Sequence, residues 1–152
     1  KKLFYSYKII LLELGVLNNG HWVLILKYKK NGRFQFEYFD SYGKDIGYLL
    51  KTNSKEENEL LKSSKPILKE LFIQKSKNKN VDVIYNIYKF QKDGSNVNSC
   101  GRHVVFRILM CEHFNFDLEE YGGFLTDLEN GIYKGLDLDQ IVTLLVDINF
   151  DF

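Results

Sequence analysis

The sequence predicts an α+β fold in a single domain over residues 1–152, and three observations carry that expectation. Two β-rich runs, HWVLILKY (residues 21–28) and RFQFEYFD (residues 33–40), flank Asn31-Gly32. That pair is a strong hairpin signal because both residues tolerate positive φ. The run from Cys100 to about Phe114 is apolar nearly all round, which predicts a buried helix. A chain of 152 residues, 45% hydrophobic and 27% charged, has the size and balance to bury a core of its own.

In the second strand Phe34, Phe36, Tyr38 and Asp40 share one face, because side chains alternate along a strand. SYGKDIG then breaks the pattern. Between Lys55 and Lys79 the chain is rich in Lys and Glu, with Leu60, Leu61, Ile67, Leu68, Leu71 and Phe72 at helical intervals. Pro66 suits the start of a second helix there better than the middle of one. A third β-like run, VDVIYNIYKFQ, covers Val81 to Gln91, and KDGSNVNS reads as a loop. Amphipathic segments near Leu118–Glu129 and Asp137–Asp147 predict two further helices.

Net charge is only +1, yet it is unevenly placed: 20 basic and 10 acidic residues up to Cys111, then 1 basic and 10 acidic. Two readings follow. Either the acidic C-terminal part lies against the basic body, or the basic surface meets a polyanion such as nucleic acid. The interleaved basic and aromatic pattern of a dedicated nucleic-acid reader is missing. A membrane span needs roughly 18 uninterrupted apolar residues. The nearest run, IILLELGVL, is broken by Glu13 and Gly15, so no membrane partner is expected, and no secretory leader is recognisable. Two cysteines are too few for a disulfide framework. On one helix Cys100 and Cys111 would stand roughly 16 Å apart, beyond the roughly 7 Å a disulfide tolerates between Cα atoms. A reducing compartment is expected.

Cys100 admits two readings: a small buried hydrophobe, or a thiolate favoured by the dipole and exposed N–H groups of a helix start. Asn98 or Ser99 could cap that helix, and Gly101 lets backbone N–H groups approach a ligand. A thiolate nucleophile needs a base, and the base an orienting acceptor. His103 lies one turn into the helix and His113 at its far end, whereas His21 opens a strand. Counting across the hairpin, Asp40 falls near the same end of the paired strands as His21. Taken singly, His21 could be a solvated strand-end residue and Asp40 a turn cap. Gln91, ending the third β-like run, could supply an oxyanion donor or merely finish the strand. A zinc site of Cys100, His103, Cys111 and His113 is the non-enzyme alternative, but two to three helical turns separate its halves.

GHW (residues 20–22), FDSYG (39–43), Gln91 and NSCG (98–101), in that order, resemble the papain-like cysteine proteases typified by adenovirus protease and the SUMO proteases. The resemblance covers Gly20 to about Phe114 and is closest to maturation proteases of DNA viruses such as virophages and polinton-like elements. It implies a central helix that opens with the catalytic cysteine and packs on a small antiparallel sheet. It further implies Cys100 as nucleophile, His21 as general base, Asp40 as its orienter, and Gln91 with the Cys100 N–H as the oxyanion hole. Trp22 and Gly101 would line a substrate channel suited to glycine or another small residue before the cut. No metal or organic cofactor is implied. The substrate would be a capsid or precursor polypeptide, the setting the host cytoplasm and virion, and a peptide or DNA a possible activator. The gap of nine positions from Gln91 to Cys100 is longer than usual for that family, and the segment before His21 is shorter. Two rivals keep the site: a deconjugase of ubiquitin-like modifiers, and an acetyltransferase using the same Cys, His and acid.

Overall fold

A computed structural model describes residues 5–13, 20–48, 55, 66–94 and 98–150. In chain order these form β1 (Tyr5–Glu13), β2 (Gly20–Lys30), β3 (Arg33–Phe39), α1 (Ile67–Ser76), β4 (Val81–Tyr85), α2 (Cys100–Phe114), α3 (Leu118–Asn130) and α4 (Leu138–Phe150). The result is an α+β structure with a four-stranded sheet in the order β1-β2-β3-β4. Most of the expected helix between Lys55 and Lys79 before Pro66 lies outside the described residues; after Pro66 it is α1.

Asn31 and Gly32 take φ of 50° and 83°, the positive values a two-residue hairpin turn demands. They set β2 and β3 antiparallel, from Lys30↔Arg33 to Leu24↔Phe39. β1, which the sequence reading missed, pairs antiparallel with β2 from Tyr5↔Tyr28 to Glu13↔Gly20. Its alternation is real but faint: Tyr7, Ile9 and Leu11 are exposed while Ile10 and Leu12 pack inward. Both sets are largely apolar, so IILLE reads as a run rather than as a period of two.

The expectation of an antiparallel sheet is corrected at β4, which runs parallel to β3. The cause is α1, which lies between them in the chain; a parallel neighbour requires such a crossover. β4 is also shorter than expected and stops at Tyr85, so Gln91 does not end a strand. The Asn86 side-chain amide donates to the carbonyls of Asp40 and Tyr88 and turns the chain out of the ladder. Phe90 and Gln91 then both donate their N–H groups to the Ser41 carbonyl, each at 2.9 Å.

β2 is buried on both faces, which explains its nearly continuous apolar run. Leu24, Leu26 and Tyr28 meet Val104, Phe106 and Ile108 of α2, with Leu118 and Tyr121 of α3 and Val142 of α4 behind them. On the opposite face Val23 and Ile25 join Phe36, Tyr38 and fully buried Phe72 of α1. Burying a side chain such as Phe72 contributes about 2 kcal/mol.

α2 crosses the sheet over a buried ion pair. Arg107 reaches Glu37 of β3 through two hydrogen bonds, Nε to Oε1 at 2.8 Å and Nη2 to Oε2 at 2.7 Å, and neither residue is exposed. The helix ends at Asn115, whose left-handed φ of 55° and N–H bond to the Cys111 carbonyl close its last turn. Ion pairs Lys30–Glu120, Lys92–Asp137 (3.0 Å) and Arg102–Asp147 (3.5 Å) join the acidic C-terminal part to the basic body, as one of the two charge readings expected. Among the described residues no helix is long and apolar enough to cross a membrane.

Candidate active site

Cys100 is the first residue of α2 and only 4% exposed. His21 is the second residue of β2, and Asp40 follows the last residue of β3. Carrying the register one step past Leu24↔Phe39 sets Asp40 across from Val23, two positions from His21. A period of two therefore places histidine and carboxylate on one side of the hairpin. His21 Nε2 and Asp40 Oδ1 are 2.9 Å apart, with both residues buried.

The pair is held from several directions. The Tyr42 N–H donates to the same Asp40 oxygen at 2.8 Å, an Asx turn that fixes the carboxylate on its own loop. The Tyr42 ring lies 4.8 Å from the imidazole, tilted by 35°, and bounds its other face. Gly43 must be a glycine: its φ is +66°, and a Cβ there would stand 2.9 Å from the carbonyl oxygens of Ile87 and Tyr88. That close approach packs the Asp40 turn against the segment leading to Gln91.

The Cys100 thiol faces Asn98 Oδ1 at 4.0 Å, and His21 stands near enough to act on its charge; with Nε2 engaged by Asp40, Nδ1 is the ring nitrogen that remains to face the sulfur. Burial alone would lower the His21 pKa, but Asp40 and Cys100 outweigh that and push it from 6.5 up to about 9. Burial alone would raise the Cys100 thiol, yet His21 and the backbone N–H groups of Trp22 and Gly101 hold it below its ordinary value. Both shifts favour a thiolate–imidazolium pair. Cys111 is the contrast: burial in the core pushes its thiol up to about 11.

Gln91 is buried, and Ser41 Oγ donates to its Oε1 at 2.7 Å. Ser41 follows Asp40, so Gln91 joins the same corner of the molecule, with its amide oxygen fixed. Trp22, 39% exposed, lies across the first turn of α2; a Cβ on Gly101 would meet its Cδ1 at 3.5 Å. The structure thus brings His21, Asp40 and Cys100 together, sets Trp22 over Gly101, and ties Gln91 in through Ser41.

The four candidate zinc ligands do not converge. His103 Nε2 faces Asp139 Oδ1 at 3.0 Å, Cys111 sits in the core and His113 stands at the end of α2. Among the described residues no group of three or more His, Cys, Asp or Glu is arranged to hold a metal. Nor does either candidate cap serve α2: Ser99 occupies the N-cap position but gives its hydroxyl to Asp139. The sequence reading missed Ser41, Tyr42 and Asp139. The first two stand inside the FDSYG motif, where a turn after Asp40 was the available signal. Asp139 gives none, because its partners lie 36 to 47 positions away.

No family model matches the chain. Among solved structures it is similar to the selenomethionine form of the ASFV pS273R protease, with 15% identity and a TM-score of 0.39. That match covers 76% of this chain but only 40% of the protease. Among curated proteins it is similar to uncharacterized protein V9 of Sputnik virophage, 30% identical over 141 residues, covering 93% of this chain and 73% of V9. A likeness of that extent shows the family: the chain belongs to the family of the Sputnik virophage protein V9.

Proposed function

We propose that this protein is a cysteine endopeptidase that cuts viral capsid or precursor polypeptides after glycine or another small residue during virion maturation. The observation that carries the reading is the connected series Asp40–His21–Cys100, with the thiol at the N-terminus of α2. A cysteine that only filled space would not need an imidazole raised by a buried carboxylate beside it. The virophage relative supports the viral setting.

The chemistry is acyl transfer. The Cys100 thiolate attacks the scissile carbonyl, and the oxyanion is received by the N–H groups at the start of α2 and by the Gln91 amide. The His21 imidazolium passes its proton to the leaving amine as the C–N bond breaks. The neutral imidazole then takes a proton from water, whose oxygen attacks the thioester; the C–S bond breaks, the acid leaves, and the Cys100 thiolate and His21 imidazolium are restored. Asp40 holds the ring and its charge throughout. Trp22, lying over Gly101, leaves little height beside the thiol and so selects a small residue before the cut.

The test is a peptide library incubated with wild type and with Cys100→Ala, cleavage being read by mass spectrometry. Wild type is expected to cut after glycine and Cys100→Ala not at all. Acetylation of Cys100 by acetyl-CoA with no peptide cleavage would replace the reading by group transfer. Cleavage only of a folded ubiquitin-like modifier would replace it by deconjugation.

A further inference from the structure

A serine at the N-cap position ordinarily turns its oxygen onto the helix's own second or third N–H group. Ser99 makes no such bond to α2. Its hydroxyl donates instead to Asp139 Oδ1. The same oxygen receives His103 Nε2 at 3.0 Å, and Asp139 Oδ2 receives the Lys92 N–H at 2.9 Å. Asp139 is 7% exposed and belongs to the first turn of α4. Burial would raise its carboxyl; the donors His103, Ser99 and Lys92 hold it below the ordinary value instead.

One carboxylate from the far end of the chain therefore grips three places that the proposed chemistry uses. It holds the residue before Cys100, the next turn of the nucleophile's helix, and the residue after Gln91. The diverted cap matters because of what it would compete for. A Ser99 oxygen released from Asp139 would turn to the N–H of Gly101 or Arg102. The Gly101 N–H is one of the groups that hold the Cys100 thiolate.

We propose that Asp139 is a positioning residue for the nucleophile: by occupying Ser99 it keeps the first turn of α2 uncapped, so that its N–H groups serve the thiolate and the oxyanion. The inference rests on the reading of Cys100 as a nucleophile. The titratable groups converging on this corner are His21, Asp40, Tyr42, Asp93, His103 and Asp139. Of these, only Asp139 holds the residue that precedes Cys100.

The test compares Asp139→Ala, Ser99→Ala and the double variant. The readouts are kcat and KM on a cleaved peptide, normalised to titrated Cys100, and the pH profile of Cys100 alkylation. Asp139→Ala is expected to lower kcat roughly tenfold with little change in KM, the size of one lost charge-assisted hydrogen bond. It should also move the alkylation profile to higher pH. Adding Ser99→Ala is expected to recover most of that loss, because alanine cannot cap, while Ser99→Ala alone costs less than about threefold. Losses that add in the double variant, or an Asp139→Ala protein that melts early but keeps wild-type kcat per titrated thiol, would overturn the proposal.

Should Asp139→Ala not fold, Asp139→Asn serves. It keeps an acceptor for Ser99, so the alkylation profile should stay near wild type and kcat within about threefold of it. A profile displaced to higher pH in Asp139→Asn would overturn the proposal. The two readings fail separately: an inert Cys100 in wild type sinks the nucleophile itself, whereas a reactive Cys100 indifferent to Asp139 sinks only this inference.

Discussion

Replacing Arg107 with methionine leaves the Glu37 carboxylate fully buried with, among the described residues, one remaining donor, the Tyr28 hydroxyl at 3.0 Å. It also removes the Nη1 bond to the Phe116 carbonyl, and a guanidinium lying 5.6 Å and 5.2 Å from the centres of the Tyr28 and Tyr121 rings. Breaking a buried pair from one side costs about 3–5 kcal/mol, because the surviving charge has no compensation. That is a large part of the 5–15 kcal/mol that typically holds a domain together. Removing both partners, as Arg107→Met with Glu37→Leu, strands no charge. What remains is the cost of an orphaned Tyr28 hydroxyl and Phe116 carbonyl, about 1–3 kcal/mol each. The double variant should therefore be more stable than either single one, with a coupling of several kcal/mol. Urea unfolding followed by far-UV circular dichroism measures this, provided the slope with denaturant is unchanged between variants. A double variant whose loss equals the sum of the singles, or singles that each cost under about 1 kcal/mol, would refute the reasoning.

The paired titration sets a pH window. Activity should rise through a Cys100 pKa below its ordinary value and fall as His21 deprotonates near pH 9, and a pH–rate profile checks both limbs. Because His21 is raised on folding, its stabilisation is complete below pH 6.5 and lost as pH climbs through about 9, which unfolding at pH 6 and pH 10 would show. Gly43→Ala forces a left-handed φ on alanine and drives a Cβ against two backbone oxygens. It should cost about 2 kcal/mol or more and lower kcat by displacing the segment that carries Gln91, as calorimetry and kinetics would report. Phe72→Ala empties the core on the face of the sheet away from α2. It should cost about 3–5 kcal/mol in urea unfolding while leaving Cys100 alkylation as in wild type.

Much of this was legible in the sequence where the signal is local. Asn31-Gly32 announces the hairpin, the hairpin sets His21 and Asp40 at one end, and the apolar run after Cys100 announces α2. What was not legible depends on distant partners. β1 is apolar on both sides, so only its pairing with β2 reveals it. β4 stops early because Asn86 is captured by the Asp40 turn, a bond 46 positions long. Its parallel direction follows from α1 crossing between β3 and β4. Gln91 was named without its holder, since Ser41 stands 50 positions before it. Asn98 and Ser99 were both candidate caps because such residues serve at helix starts, and the bond from Ser99 to Asp139, 40 positions away, has no local signal.

The claim that His21 holds Cys100 as a nucleophile is tested most directly by alkylation with iodoacetamide across pH. Mass spectrometry would follow Cys100 and Cys111 separately, in wild type and in His21→Ala. Cys100 should react fast well below the ordinary thiol value of about 8.5, Cys111 should stay protected in the folded protein, and His21→Ala should slow Cys100 near neutral pH. A Cys100 that stays inert until about pH 8.5, or that reacts alike with and without His21, would contradict the account.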